Sequence, residues 1–213
     1  MSLNKNSGGN NATLIVLKTS THDENDNKVN PFFIASRKVG EDWVNDKDTF
    51  TSIVGDISRI DVLKTTYEGK DSQNVRVYLE DKEANEKYLL SLRLNFLNRD
   101  IVNKLLGLPS LDKVEISLYT NKNDYATSAV RQAGNLTKWK FGYEELPKPI
   151  EILHPKSQQL LSRDYSEIDD LFADAAREFA EKFSILGVKK ETPSTQEAKE
   201  PERESKELDD DAF

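Results

Sequence analysis

Three stretches of this chain alternate apolar and polar residues with a period of two. In NVRVYLE (74–80), Val75, Val77 and Leu79 fall on one side and Arg76, Tyr78 and Glu80 on the other. In KYLLSLRLN (87–95), Leu90, Leu92 and Leu94 oppose Ser91 and Arg93. In KVEISLYT (113–120), Val114, Ile116 and Leu118 share one side. Successive side chains of a strand point to opposite faces, so each stretch predicts a β-strand buried on one face only. The polar DKEANE (81–86) makes a hairpin loop between the first two.

Less regular segments fill in around them. Residues 1–11 are rich in Asn, Gly and Ser and read as disordered. ATLIVLKTS (12–20) and PFFIASRKV (31–39) read as strands of an N-terminal hairpin around a polar loop, with 40–50 as a connector. Residues 50–69 are strand-like, with Gly55 marking a bulge or bend. NRDIVNKLLGLP (98–109) reads as a short helix. Asn98 is its N-cap, Asp100 suits its first turn, Ile101, Val102, Leu105 and Leu106 are its apolar face, and Gly107 and Pro109 are its stop. YATSAVRQ (125–132) and LTKWKFGY (136–143) read as further strands. Residues 145–156 contain three prolines and read as extended chain leaving the strand-rich body.

Three strands, a short helix and then two or three strands match an oligonucleotide-binding fold. That fold is a small Greek-key barrel with a helix between its third and fourth strands. The fold class is therefore mainly β: such a barrel over residues 12–155, with an extra N-terminal hairpin. A parallel α/β sheet is disfavoured, because only one short helix separates the strands. Residues 156–188 form a second region around an amphipathic helix at 164–187. Ile168, Leu171, Phe172, Ala175, Phe179 and Phe183 are its stripe, Asp164 with Glu167 its capping box, and Gly187 its end. The stripe is to be buried on the chain's own barrel or against a second subunit of a homodimer. From residue 189 the chain is rich in Glu, Lys, Pro and Ser, which predicts a disordered acidic tail.

Charge follows the same division. Residues 1–155 carry 21 Lys and Arg against 22 Asp and Glu, whereas 189–213 carry 5 against 9. With no cysteine in the sequence, disulfides, thiolate zinc sites and a cysteine nucleophile are excluded. No apolar run approaches the roughly 20 residues of a membrane helix, and MSLNKNSGGNNATL lacks the apolar core of a secretory signal. These features point to a cytoplasmic protein without membrane attachment. No catalytic constellation is evident. His22 and His154 stand apart from any second metal ligand, no phosphate-cradling Gly-rich loop occurs, and Asp169 and Asp170 read as solvated charges on a helix face. No catalytic residue, metal site or cofactor is expected.

The aromatic and basic residues of the body suggest a binding chemistry instead. Single strands are held by stacking bases on aromatic rings while Lys and Arg track the phosphates. Arg76, Tyr78, Arg93, Tyr119, Tyr125 and Arg131 fall on outward positions of their strands. In TKWKFGY, strand alternation puts Trp139, Phe141 and Tyr143 on one face and Lys138 and Lys140 on the other. Two readings of those rings stay open, core packing and base stacking.

The sequence finishes KELDDDAF, residues 206–213. This ending resembles the acidic tip of bacterial and bacteriophage single-stranded DNA-binding proteins, which join an oligonucleotide-binding domain to a disordered linker and end in aspartates before a terminal phenylalanine. The layout is closer to the phage type, and it departs from the common bacterial tip in having Ala212 where proline precedes the phenylalanine. The resemblance implies sequence-tolerant single-stranded DNA binding in replication or recombination, within the host cytoplasm for a phage protein. It also implies that Asp209, Asp210, Asp211, Ala212 and Phe213 recruit replication or recombination proteins. An alternative from another class is a structural or adaptor protein of a virion, using the tail as an assembly peptide.

Overall fold

A computed structural model gives the fold and describes residues 12–18, 31–39, 42–67 and 70–187. The expectations for residues 1–11, for the loop carrying His22 and for the tail at 189–213 lie outside the described residues.

Among the described residues, nine strands form one open sheet. They are β1 (Thr13–Lys18), β2 (Phe32–Val39), β3 (Asp42–Phe50), β4 (Ser52–Tyr67), β5 (Lys70–Asp81), β6 (Glu86–Arg93), β7 (Val114–Thr120), β8 (Ala126–Gln132) and β9 (Asn135–Leu136). Their spatial order is β3-β2-β1-β6-β5-β4-β7-β8-β9. The sheet does not close into the expected barrel. β1 pairs in parallel with β6 through Thr13–Tyr88, Leu14–Leu89 and Ile15–Leu90, taking the edge at which closure would occur. β1 and β2 form the expected antiparallel hairpin. The supposed connector is β3, antiparallel to β2 at the sheet's edge. Its run of charged and polar residues hides it from any apolar periodicity and suits an edge strand.

β4 organises the sheet. Ser52–Gly55 pair with β7, and pairing with β5 begins at Asp56. The expected irregularity at Gly55 is this change of partner, followed by a bulge at Ser58 where the register shifts between Ile57 and Arg59. The three alternating stretches behave as their periodicity dictates: Val75, Val77, Leu79, Leu90, Leu92, Leu94, Val114, Ile116 and Leu118 are all buried in one core.

α1 (Phe96–Leu105) starts two residues earlier than expected. Asn95 is the N-cap, its side-chain oxygen accepting from the Asn98 N–H at 3.0 Å. Asn98 is instead buried and donates through Nδ2 to the Arg93 carbonyl. The stretch 136–143 is not a strand beyond Leu136. Asn103 of α1 captures it: its Oδ1 accepts from the Phe141 N–H at 2.9 Å and its Nδ2 donates to the Phe141 carbonyl at 3.0 Å. The segment thereby becomes a strap across α1, so close that a Cβ on Gly107 would stand 2.3 Å from the Lys138 carbonyl oxygen.

Residues 150–164 are not simple extended chain. β10 (Ile150–Leu153) and β11 (Leu160–Asp164) form a separate antiparallel hairpin, exposed along its whole length. α2 (Ser166–Lys182) follows and ends at Phe183, before Gly187. Its N-cap is Tyr165, and Asp164 accepts the Ser166 N–H without the reciprocal bond of a capping box. Ile168, Phe172, Ala173, Ala176, Phe179 and Ala180 are buried, and α2 packs on the core side of this chain's own sheet. Asp169 and Asp170 are not idle surface charges. Asp169 pairs with Arg99 at 2.6 Å, and Asp170 accepts from Gln73 at 2.8 Å, tying α2 to α1 and β5. After α2 the chain lies along β4: the Ile60 N–H donates to the Ile185 carbonyl at 3.0 Å and the Gly187 N–H to the Ile60 carbonyl at 3.1 Å.

A candidate nucleic-acid interface

The two helices fill one side of the sheet, so alternation sends the remaining strand residues to the other side. Arg76 stands across from Asp61 of β4 and Ser91 of β6, and Tyr78 across from Arg59 and Leu89. Arg93 faces Asn74 and is diagonal to Arg76. Three of the expected residues therefore meet on the outer side of β5 and β6. On β7 and β8, Tyr119 and Arg131 lie on the face opposite buried Ile116 and Leu118, which β4 makes continuous with the first three through Ser52 and Val54. Tyr125 is 66% exposed in the turn between β7 and β8.

The strap occupies the other side. Trp139 donates through Nε1 to Asp100 of α1 at 2.9 Å and remains 55% exposed. Asp100 also accepts from Lys104 at 2.6 Å and Ser128 at 2.7 Å, a linked set joining α1, β8 and the strap. Phe141 packs edge-on against Phe172 of α2 with ring centroids 5.9 Å apart, and Tyr143 is exposed. The three rings do not share a face, because the backbone between them is not a strand. Lys138 and Lys140 are exposed beside the strap rather than beside Arg76 and Arg93.

Electrostatics distinguishes the outward cations. Several surface cations here have a carboxylate partner: Lys64 with Asp71, Lys82 with Asp56 and Lys87 with Glu80. The Lys82 ammonium holds Asp56 below the usual carboxylate range, and Lys87 does the same to Glu80. Arg131 is shared between Glu115 at 3.5 Å and Ser117 at 3.1 Å. Among the described residues Arg76 and Arg93 have no ion pair, and the buried Arg76 Nε has no hydrogen-bond partner. An orphaned buried donor is costly unless something else accepts from it.

Two residues that sequence reasoning missed belong to this region. Arg59 of β4 lies over the Tyr78 ring, 5.0 Å from its centroid. Its signal was hidden because the bulge at Ser58 flips the alternation of β4. Phe96, 79% exposed at the start of α1 and three residues beyond Arg93, contributes almost nothing to the core. Its exposure follows from the chain turning Leu94 and Leu97 inward.

Among the described residues no group of three or more His, Asp or Glu side chains is placed to hold a metal ion, and no helix is long and apolar enough to cross a membrane. Comparison with protein-family models, with curated proteins and with solved structures finds no match.

Proposed function

We propose that this chain is a non-catalytic, sequence-tolerant single-stranded DNA-binding protein of phage replication or recombination. The observation that carries the reading is the outer face of β5 and β6, where Arg76, next to Tyr78 on β5, and Arg93, diagonal to Arg76 on β6, have no ion pair among the described residues. Aromatic surface beside unneutralised cations is what a flexible strand of bases and phosphates requires. The strand order lends support. Counting from β4, the fourth strand β7 returns to lie beside the first, the 4-1-2-3 order of a Greek key. α1 stands between the third and fourth, as in oligonucleotide-binding folds. Such folds bind on the face of their second and third strands and on the loop between the fourth and fifth, here β5, β6 and the turn with Tyr125. The open edge taken up by β1 is the departure from that pattern.

In this reading Asp209, Asp210, Asp211 and Phe213 recruit partner proteins, with the phenylalanine as apolar anchor and the aspartates read by a basic rim. A second reading, an assembly or adaptor protein, draws on the exposed aliphatic residues of the β10–β11 hairpin. Titration of a fluorescent oligo-dT and of a duplex of equal length separates the two. The single-strand reading expects preference for dT and an affinity that falls steeply with salt, as displaced counterions require. Equal affinity for both at moderate salt, or none, removes it.

A further inference from the structure

We propose that Arg59 and Tyr78 form a stacking platform for one unpaired nucleobase, and that the cavity beside them is that base's seat. The proposal rests on the single-strand reading and names the group that would grip the base rather than the phosphate.

An arginine in a nucleic-acid interface ordinarily spends its charge on phosphate. Arg59 has already spent it. Its Nε and Nη2 donate to the two carboxylate oxygens of Asp61 at 2.7 and 2.8 Å, and Asp61 is only 8% exposed. A fork matched in this way has little attraction left for an anion. What remains is its flat, weakly hydrated face, which stacks well on aromatic surface. One such contact exists, with the Tyr78 ring. Burial raises the Tyr78 phenol above its ordinary pKa, and Asp61 adds to the shift, so the ring stays neutral well into the alkaline range.

The plane is held in place from a third direction. The segment after α2 is bonded to Ile60 on both sides, which presses Gly187 onto the ion pair. A Cβ at Gly187 would stand 1.7 Å from Asp61 Oδ1 and 2.4 Å from Arg59 Nε, so no other residue fits without moving one of them. A guanidinium gripped by a buried carboxylate, a ring and a strand segment is preorganised, and stacking on it costs little side-chain entropy.

There is room for a ligand. A cavity of about 230 Å³ opens beside the platform, lined by Arg59, Tyr78, Ser58, Glu80, Lys87 and Tyr88. The bulge lifts Ser58 out of register with β5, and Glu80 and Lys87 pair at 2.8 Å on the rim. A hydroxyl, a carboxylate and an ammonium offer both donors and acceptors, which suits the mixed edge of any base.

The test compares oligo-dT with an oligonucleotide of equal length made of abasic sites, on the full chain, by fluorescence anisotropy. Wild type is expected to bind dT more tightly than the abasic strand. Arg59→Lys keeps the charge and loses the plane. It should weaken dT binding about tenfold, the scale of one lost stack, with the abasic affinity and the slope of log affinity against log salt unchanged. Arg59→Lys also disturbs the partner of a buried carboxylate, so Tyr78→Leu, which leaves the Arg59–Asp61 pair intact, serves as a second variant with the same expectation. If both variants weaken dT and abasic strands equally, or neither weakens dT, the platform is overturned. If wild type binds the two strands equally, the base seat falls while the single-strand reading stands. Wild type that binds neither strand removes both.

Discussion

A surface cation binds a nucleic acid only if nothing nearer has claimed it. Arg93 is exposed and unpaired among the described residues, and Arg76 carries an orphaned Nε, whereas Lys64, Lys82 and Lys87 each hold a carboxylate. Lys138 and Lys140 are also unpaired among the described residues but lie on the helical side of the sheet. One strand of DNA tracking the outer face therefore meets the arginines and misses the lysines. Arg76→Ala and Arg93→Ala should each weaken oligo-dT binding several-fold at about 0.1 M salt and each reduce the salt slope by about one. Lys138→Ala and Lys140→Ala should change neither. Anisotropy titrations at three salt concentrations check this. If the lysine variants lower the slope and the arginine variants do not, the strand runs over α1 and the strap instead.

At the scale of elements, burial separates what supports the fold from what merely projects from it. Phe172 of α2 is 2% exposed and touches Phe141, so Phe172→Ala should cost about 3–5 kcal/mol. Ile152 of β10 is 46% exposed in a hairpin exposed along its whole length, so Ile152→Lys should stay within about 0.5 kcal/mol of wild type. Denaturant unfolding measures both, and a large loss in Ile152→Lys would mean that the hairpin packs on something after all. The same contrast explains which elements could be read from sequence. β5, β6 and β7 bury one face, and that leaves a period of two in the chain. β10 and β11 bury neither face, and β3 is charged and at an edge, so none of them leaves such a trace. The strap was misread for a different reason. TKWKFGY has the composition of a strand, but Asn103, more than thirty residues upstream, takes the backbone groups of Phe141 that a neighbouring strand would need. The candidate site divides likewise. Arg76, Tyr78 and Arg93 were legible because their strands alternate, while Arg59 was not, because a bulge breaks the alternation.

For the whole molecule, the β-rich class was legible and the pairing of the sheet was not, since the partner that takes the edge of β6 is β1, far away in sequence. The same long-range packing brings Gly187, the last described residue, against Arg59 and Asp61 at the border of the candidate face. In the sequence Gly187 is followed closely by the acidic residues 189–213. A disordered tail of that length, the expectation from its composition, would reach on the order of 25 Å, enough for its aspartates to compete with phosphate on the candidate face. Deleting Asp209 to Phe213 removes three aspartates while the new end keeps a terminal carboxylate. The fold should keep its melting temperature, and oligo-dT should bind a few-fold more tightly at about 50 mM salt. The gain should vanish near 0.5 M, where screening acts within roughly 4 Å. Phe213→Ala keeps every charge, so it should leave DNA affinity unchanged while abolishing capture of replication proteins from host extract. If the deletion alters neither DNA affinity nor that capture, the tail neither competes nor recruits, and the resemblance drawn from DDDAF loses its physical basis.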